Sequence, residues 1–217
     1  MNTEAAQSRR EALRRAALGA GMVAAAGFVR PAAALAQADD TETLRDFLVE
    51  AIGLEQIAAL GYATTAVADG VDTDLKRTLE LFRDQEQAHA NALRNALDEL
   101  GFDPPEPPDS PDDTGVFDGV DGIDDETATR LGDLLKGLGG LDKADALLDY
   151  LGTLEEKQLA YYLLNGPALP SEDLSTTSVE IAGCQAQHLY VVRRQLGDNP
   201  VDALVAAGEA TDVSPPK

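Results

Sequence analysis

The sequence is poor in several residue types that mark common classes of protein. Its 217 residues include no tryptophan, two histidines and a single cysteine, Cys184. One cysteine excludes an internal disulfide framework, and we interpret Cys184 as a small residue buried on a helix. The apolar run from Ala16 to Phe28 is too short to span a bilayer comfortably. We also predict no membrane span in the remainder of the chain.

Basic residues are also scarce. Five lysines stand against 24 aspartates, and the formal net charge is −22. From residue 39 onward the chain holds 12 basic and 37 acidic residues, a net charge of −25. Such a surface repels nucleic acid and anionic membranes, so no nucleic-acid partner is predicted. We interpret the charge as a solvated surface suited to high salt, with a halophilic source as the hypothesis and a loose cation-binding surface as the alternative.

The first 38 residues resemble a twin-arginine signal peptide. A basic segment contains the pair Arg9-Arg10, a short apolar run follows, and Ala36-Gln37-Ala38 supplies an A-x-A cleavage site. The alternative is an ordinary secretory signal that happens to carry two arginines. Either signal predicts an exported protein, located at the cell surface, in a periplasm-like space or in the medium.

Residues 39–197 carry four long stretches with apolar residues at helical spacing, which predicts an all-α domain. The predicted helices run from about Asp40 to Gly70, Thr73 to Leu100, Asp142 to Leu164, and Ser171 to Gly197. Each neighbouring pair is separated by a few residues, so each should form an antiparallel hairpin. Asp72 and Ser171 are the expected N-caps of the second and fourth of these helices.

The two hairpins are separated by a long connection. Residues 102–125 are rich in proline, aspartate and glycine, build no core of their own, and are followed by a short helix at about 126–138. Two hairpins joined by a long crossover form a four-helix bundle of ferritin-like connectivity. The alternative, a simple up-and-down bundle, needs only short loops. Residues 198–217 are expected to be a tail with at most one short helix.

A polar pattern recurs within the apolar stripes of the two hairpins. Glu86 and His89 follow Glu55 by 31 and 34 residues, and Gln185 and His188 follow Glu155 by 30 and 33. A tyrosine, Tyr62 or Tyr162, stands seven residues after each first glutamate. Such a repeat predicts a pseudo-two-fold axis that brings polar groups of four helices together in the core. A single Glu-x-x-His pair occurs often by chance and would be weak evidence for a shared site, but both histidines of the chain occupy equivalent positions in the repeat.

Buried carboxylates and imidazoles at one point favour a metal site over two satisfied core histidines. Carboxylate oxygen and imidazole nitrogen suit iron or manganese, with zinc also compatible. One or two ions would be held by the following residues: Glu55, Glu86, His89, Glu155, Gln185 and His188. Tyr62 and Tyr162 are expected to hydrogen-bond a ligand carboxylate of a neighbouring helix, or to be core residues with satisfied hydroxyl groups.

These residues resemble the ferritin-like di-metal carboxylate superfamily over about Thr41 to Leu196, and within it the exported single-domain ferritin-like domain proteins. The resemblance implies a di-iron or di-manganese centre that reacts with O₂ or peroxide, as in a ferroxidase or a catalase-like enzyme. It carries over Glu55, Glu86, His89, Glu155 and His188 as ligands. Gln185 departs from the family pattern, since its amide cannot bridge two ions as a carboxylate does. A non-enzymatic metal-binding or stress-protective envelope protein is therefore the alternative, and assembly into a homo-oligomer is left open.

Overall fold

The computed structural model describes residues 38–200 and 202–204. Within these residues the chain is helical and contains no β-strand. The elements are α1 Ala38–Ala66, α2 Thr73–Glu99, α3 Asp125–Gly139, α4 Ala144–Asn165, a 3₁₀ turn Gly166–Ala168, and α5 Glu172–Leu196. All of the predicted signal peptide except Ala38, including Arg9 and Arg10, and most of the predicted tail lie outside the described residues.

The ends of the helices follow local chemistry. Asp72 accepts hydrogen bonds from the backbone N–H groups of Asp74 and Leu75, and Ser171 accepts one from Leu174, as an N-cap does. Gly197 ends α5 with a φ of 103°, a left-handed conformation that glycine adopts without steric cost. Helix α1 differs from the prediction because it extends back to Ala38, which places Asp40 in its first turns rather than at its cap.

Two helical hairpins form the bundle, as predicted. Helix α1 packs along α2, α4 packs along α5, and α1 and α4 pack against each other across the core. Tyr62 of α1 hydrogen-bonds Glu155 of α4, while Tyr162 of α4 hydrogen-bonds Glu55 of α1, so these two helices run antiparallel. The ferritin-like arrangement that the resemblance implies is thereby confirmed.

The connection between the hairpins is tied to the bundle at several points. Phe117 is fully buried and lies against Gly53 of α1, where an added Cβ atom would come within 3.2 Å of its ring. The backbone oxygen of Pro105 accepts hydrogen bonds from Gln56 of α1 and Arg94 of α2. Helix α3 then covers α1 from outside, with Leu131 fully buried. The crossover builds no core of its own, but it adds Phe117 to the core of the bundle.

Among the residues described, every helix is either too short or too polar to cross a bilayer.

Candidate metal centre

All four long helices place polar side chains at one level of the core. Glu55 comes from α1, Glu86 and His89 from α2, Glu155 from α4, and Gln185 and His188 from α5. The three glutamates and Gln185 are fully buried, and His188 is 1 % exposed. His89 differs, because 19 % of its side chain is exposed. The structure thus brings together all six residues that the sequence singled out as candidate ligands.

The antiparallel packing of α1 and α4 explains the two tyrosines. Each lies two helical turns after a glutamate, so its hydroxyl group is level with the glutamate of the opposite helix. The Tyr162 hydroxyl donates to Glu55 Oε1 at 2.6 Å, and the Tyr62 hydroxyl donates to Glu155 Oε1. Both tyrosines are fully buried. Each tyrosine thus orients a carboxylate of the opposite hairpin, and the two contacts are related by the pseudo-two-fold axis.

Glu86, Glu155 and His188 form one half of the centre, which we call the inner half-site. Their candidate ligand atoms lie within 4.8 Å of one another. His188 Nδ1 is 2.7 Å from Glu86 Oε1 and 3.4 Å from Glu155 Oε1. Glu86 Oε1 and His188 Nδ1 have no hydrogen-bond partner among the described residues beyond this contact with each other, and Glu155 Oε2 has none. The polar atoms of this buried half thus face only one another, an arrangement that a cation would stabilise.

Glu55, Glu86 and His89 form the other half, the outer half-site, whose candidate ligand atoms also lie within 4.8 Å of one another. His89 Nδ1 lies 3.1 Å from Glu55 Oε2 and 3.9 Å from Glu86 Oε2. Glu86 belongs to both halves through its two oxygens, so its carboxylate stands between them. Unlike the inner half-site, this one is supplied with N–H donors from glutamine side chains.

Two glutamines provide those donors. Gln185 Nε2 lies 3.0 and 3.2 Å from the two oxygens of Glu55 and 3.0 Å from Glu86 Oε2. Gln158 Nε2, one helical turn after Glu155, lies 3.3 Å from Glu55 Oε1 and 3.4 Å from Glu86 Oε2. The Oε1 atoms of both glutamines have no partner among the described side chains and backbone. Sequence reasoning missed Gln158, because its counterpart in the first hairpin is Ala58 and the repeat gave no signal there.

The outer nitrogen of His188 has a partner that the sequence did not identify. His188 Nε2 lies 2.8 Å from Gln85 Oε1 and 3.5 Å from Cys184 Sγ. An amide oxygen can only accept, so Nε2 carries a hydrogen, and Nδ1, which points at Glu86, is the nitrogen that would bind a cation once the ring is neutral. Cys184 is half-buried rather than fully buried as predicted, since it packs at the edge of the centre beside His188.

Burial and mutual charge control protonation in the centre. Burial, and then the charge of Glu86, raise the pKa of Glu55 well above its usual range. Burial alone would also raise the pKa of Glu86, but contacts with Glu55 and both histidines hold it well below its usual range. Burial and the Glu86 charge raise the pKa of Glu155 to about 7. Burial opposes charge on both histidines, yet nearby acidic groups raise the pKa of His89 and His188.

The donor set fits a divalent cation. Three carboxylates and two imidazoles converge in the core, and the inner half-site leaves its ligand atoms without other partners. A helical bundle with such a centre defines the class of metal-binding carboxylate proteins. A family model described as "Ferritin-like domain" matches residues 45–198, so the chain belongs to this family. Comparisons with curated proteins and with solved structures gave no match.

Proposed function

We propose that the centre binds iron or manganese and serves an oxidative function, either oxidation of ferrous iron or removal of peroxide. The observation that carries the proposal is the inner half-site, where the buried ligand atoms of Glu86, Glu155 and His188 lie within 4.8 Å of one another and no donor from outside this trio reaches His188 Nδ1, Glu86 Oε1 or Glu155 Oε2 among the described residues. Nitrogen and oxygen donors in this combination favour iron or manganese among the common metals. Such an ion, when bound, supplies redox chemistry with O₂ or peroxide.

The residues of the centre would have distinct roles in holding metal. Glu86, Glu155 and His188 would hold an ion in the inner half-site, and Glu55, Glu86 and His89 a second ion in the outer one. Tyr62 and Tyr162 hold the terminal glutamates by hydrogen bonds. The rings of Phe82 and Tyr62 pack against the imidazole of His188, which keeps water away from that side of the centre.

Metal-dependent stability tests the binding step. A ligand that binds only the folded state stabilises it by about 2.7 kcal/mol at a hundredfold excess over Kd. Mn²⁺, or Fe²⁺ without oxygen, should therefore raise the melting temperature of the wild-type protein. His188→Ala should remove most of that rise and His89→Ala should reduce it. Gln87→Ala, at an exposed position of the same helix as His89, is the control and should respond as the wild type does.

Assays of turnover then test the oxidative function. Oxidation of Fe²⁺ under air and consumption of hydrogen peroxide by the Mn²⁺-loaded protein should both be measured, with metal content determined on protein from its native host. Loss of activity in His188→Ala together with loss of bound metal would support the proposal. An equal thermal response to metal in the wild type and in both histidine variants would contradict it.

A second candidate function is metal binding without catalysis, in the cell envelope. Gln185 favours it, because the four-fold set of carboxylates is reduced to three, against a charge of +4 for two divalent ions. Such a protein should bind metal and gain stability, but it should neither oxidise Fe²⁺ nor consume peroxide faster than the free ion does. The assays above separate the two candidates.

Export is a further part of the proposal, based on the pair Arg9-Arg10 and the A-x-A site at residues 36–38. The twin-arginine route depends on the arginine pair, so changing Arg9 and Arg10 to lysine should leave the precursor in the cytoplasm. The matched control is Arg14→Lys. Unchanged secretion of the double variant would favour the general secretory route. The acidic surface further supports a saline environment, and stability should then increase with KCl concentration.

A further inference from the structure

We propose that Gln158 and Gln185 give the two half-sites unequal affinity for metal. The first ion then binds in the inner half-site, and a second ion binds only after both amide groups have rotated by half a turn. This inference rests on the proposed metal-binding function and adds the order of binding and the residues that determine it. The evidence for it is that glutamine amide groups donate to the carboxylates of the outer half-site, whereas none donates to Glu86 Oε1 or Glu155 Oε2 of the inner one.

In the outer half-site the amide N–H groups stand among the carboxylate oxygens. Gln185 Nε2 is within 3.2 Å of three oxygens, two of Glu55 and one of Glu86. Gln158 Nε2 adds two longer contacts with the same pair of glutamates. Glu55 Oε1 also accepts the hydroxyl of Tyr162. The negative charge of this half is therefore already stabilised by fixed donors.

In the inner half-site the situation is reversed. Glu86 Oε1 and His188 Nδ1 lie 2.7 Å apart and have no other hydrogen-bond partner among the residues described, and Glu155 Oε2 has none, although all three atoms are buried. Glu155 receives one hydroxyl donor, from Tyr62. A cation entering this half would replace the contact between Glu86 Oε1 and His188 Nδ1, but it would displace no amide donor. The inner half-site is therefore the one prepared for the first ion.

The amide groups respond to charge in opposite ways with and without an ion. Facing two carboxylates, a glutamine side chain presents its N–H₂ group, because its oxygen would be repelled. Facing a cation, it presents its oxygen. Rotation by half a turn about the last side-chain bond exchanges the two, but it breaks the contacts of both glutamines with Glu55 and Glu86. Loss of such charge-assisted hydrogen bonds should weaken binding of the second ion by about 10- to 100-fold relative to the first.

The asymmetry is encoded in the second hairpin. Gln185 stands where the first hairpin has Glu86, and Gln158 stands where it has Ala58. Both changes place an amide group in the core, and both amides face the outer half-site. A symmetric centre would have a carboxylate in place of Gln185 and a small apolar residue in place of Gln158. These two positions therefore distinguish this chain from a symmetric two-metal centre.

Anaerobic titration with Mn²⁺ tests the inference. Calorimetry measures the affinity of each step, and electron paramagnetic resonance distinguishes an isolated ion from a magnetically coupled pair. The wild type should first give the spectrum of an isolated ion and show coupling only at about 10- to 100-fold higher free Mn²⁺. His188→Ala should remove the tight first step. His89→Ala should preserve it and remove the second step.

Two variants address the amides directly. Gln158→Leu removes one amide and should tighten the second step about 10-fold or more while changing the first by less than about 3-fold. Gln185→Glu replaces the other amide with a carboxylate 3.0 Å from the shared Glu86, so it should tighten the second step about 10-fold or more and the first step by a smaller factor. Gln56→Leu is the control, since Gln56 is another buried glutamine whose Oε1 has no partner among the described residues, but it bonds Pro105 outside the centre. The control should titrate as the wild type does.

The outcomes distinguish the two proposals. Two ions that bind with equal affinity to the wild type, unchanged in Gln158→Leu and Gln185→Glu, would overturn the unequal half-sites but leave the metal-binding function in place. A first step lost in His89→Ala and kept in His188→Ala would overturn the assigned order. No bound Mn²⁺ in any protein, with no thermal response to Mn²⁺ or Fe²⁺, would remove both proposals. If Gln158→Leu does not fold without metal, the two histidine variants and Gln185→Glu still decide the question.

Discussion

The two tyrosines of the centre offer a sharp test, because equivalent substitutions should have unequal effects. Tyr62→Phe and Tyr162→Phe each remove one buried hydroxyl that donates to a glutamate of the opposite hairpin. Glu55, the partner of Tyr162, keeps donors from Gln158, Gln185 and His89. Glu155, the partner of Tyr62, keeps only a 3.4 Å contact with His188 among its contacts in the centre. The loss of Tyr62 should therefore leave a buried carboxylate almost unpaired.

The expected magnitudes follow from the chemistry of these bonds. A hydrogen bond to a charged group contributes about 1.5–3 kcal/mol to stability, and a neutral one about 1 kcal/mol. Without metal, Tyr62→Phe should lower the free energy of unfolding by about 3 kcal/mol and Tyr162→Phe by about 1 kcal/mol. A cation in the inner half-site would neutralise Glu155, so the loss in Tyr62→Phe should fall to about 1 kcal/mol with Mn²⁺. The loss in Tyr162→Phe should change less.

The assay is urea unfolding followed by helical circular dichroism, with and without Mn²⁺. Since the pKa of Glu155 is raised to about 7, the measurement belongs at about pH 8, where this carboxyl is mostly ionised. Tyr161→Phe is the matched control, because the Tyr161 hydroxyl donates at 3.0 Å to the backbone oxygen of Phe47, away from the centre. It should lower stability by about 1 kcal/mol regardless of metal. Equal losses in Tyr62→Phe and Tyr162→Phe, or a Tyr62→Phe loss that Mn²⁺ leaves unchanged, would refute the reasoning.

Three further predictions concern pH, metal affinity and packing. The metal-free protein should lose up to about 3 kcal/mol of stability as pH rises from about 4.5 to about 7, because Glu155 has a higher pKa in the folded state than in the unfolded state. A rise in urea midpoint over this pH range would contradict this prediction. Gln85→Leu removes the acceptor for His188 Nε2 and should lower the affinity for the first Mn²⁺ about 10- to 100-fold, whereas Gln87→Leu at an exposed position should not, as calorimetry can check. Gly53→Ala would place a methyl group 2.9 Å from Leu131 Cδ1 and should lower stability by about 1–3 kcal/mol, equally with and without metal. An unchanged urea midpoint would show that this contact relaxes freely.

Sequence periodicity was sufficient to predict the bundle and to bring the candidate ligands together. Each predicted ligand lies in an apolar helical stripe, and a stripe must face the core wherever the helix packs. The cap residues Asp72 and Ser171 act locally, so their roles were also predictable. The repeat of Glu55 and Tyr62 in Glu155 and Tyr162 correctly indicated a pseudo-two-fold centre.

The features that sequence could not provide depend on contacts between helices. Gln85 meets His188 only because α2 and α5 have a particular relative rotation, which no spacing along either helix specifies. Gln158 is an uncharged residue in an apolar stripe, so nothing in its position separates it from an ordinary half-buried glutamine. Burial of Phe117 requires the crossover to fold back onto Gly53, a long-range contact without a sequence signature.

The exposure of His89 has a consequence for the rate at which the centre could be filled and emptied. Its side chain is 19 % exposed, whereas Glu55, Glu86, Glu155 and His188 are at most 1 % exposed. On the proposed assignment, an ion from solvent meets the weaker half-site first and reaches the stronger one only through it. An ion should therefore enter and leave the inner half-site more slowly than the outer one.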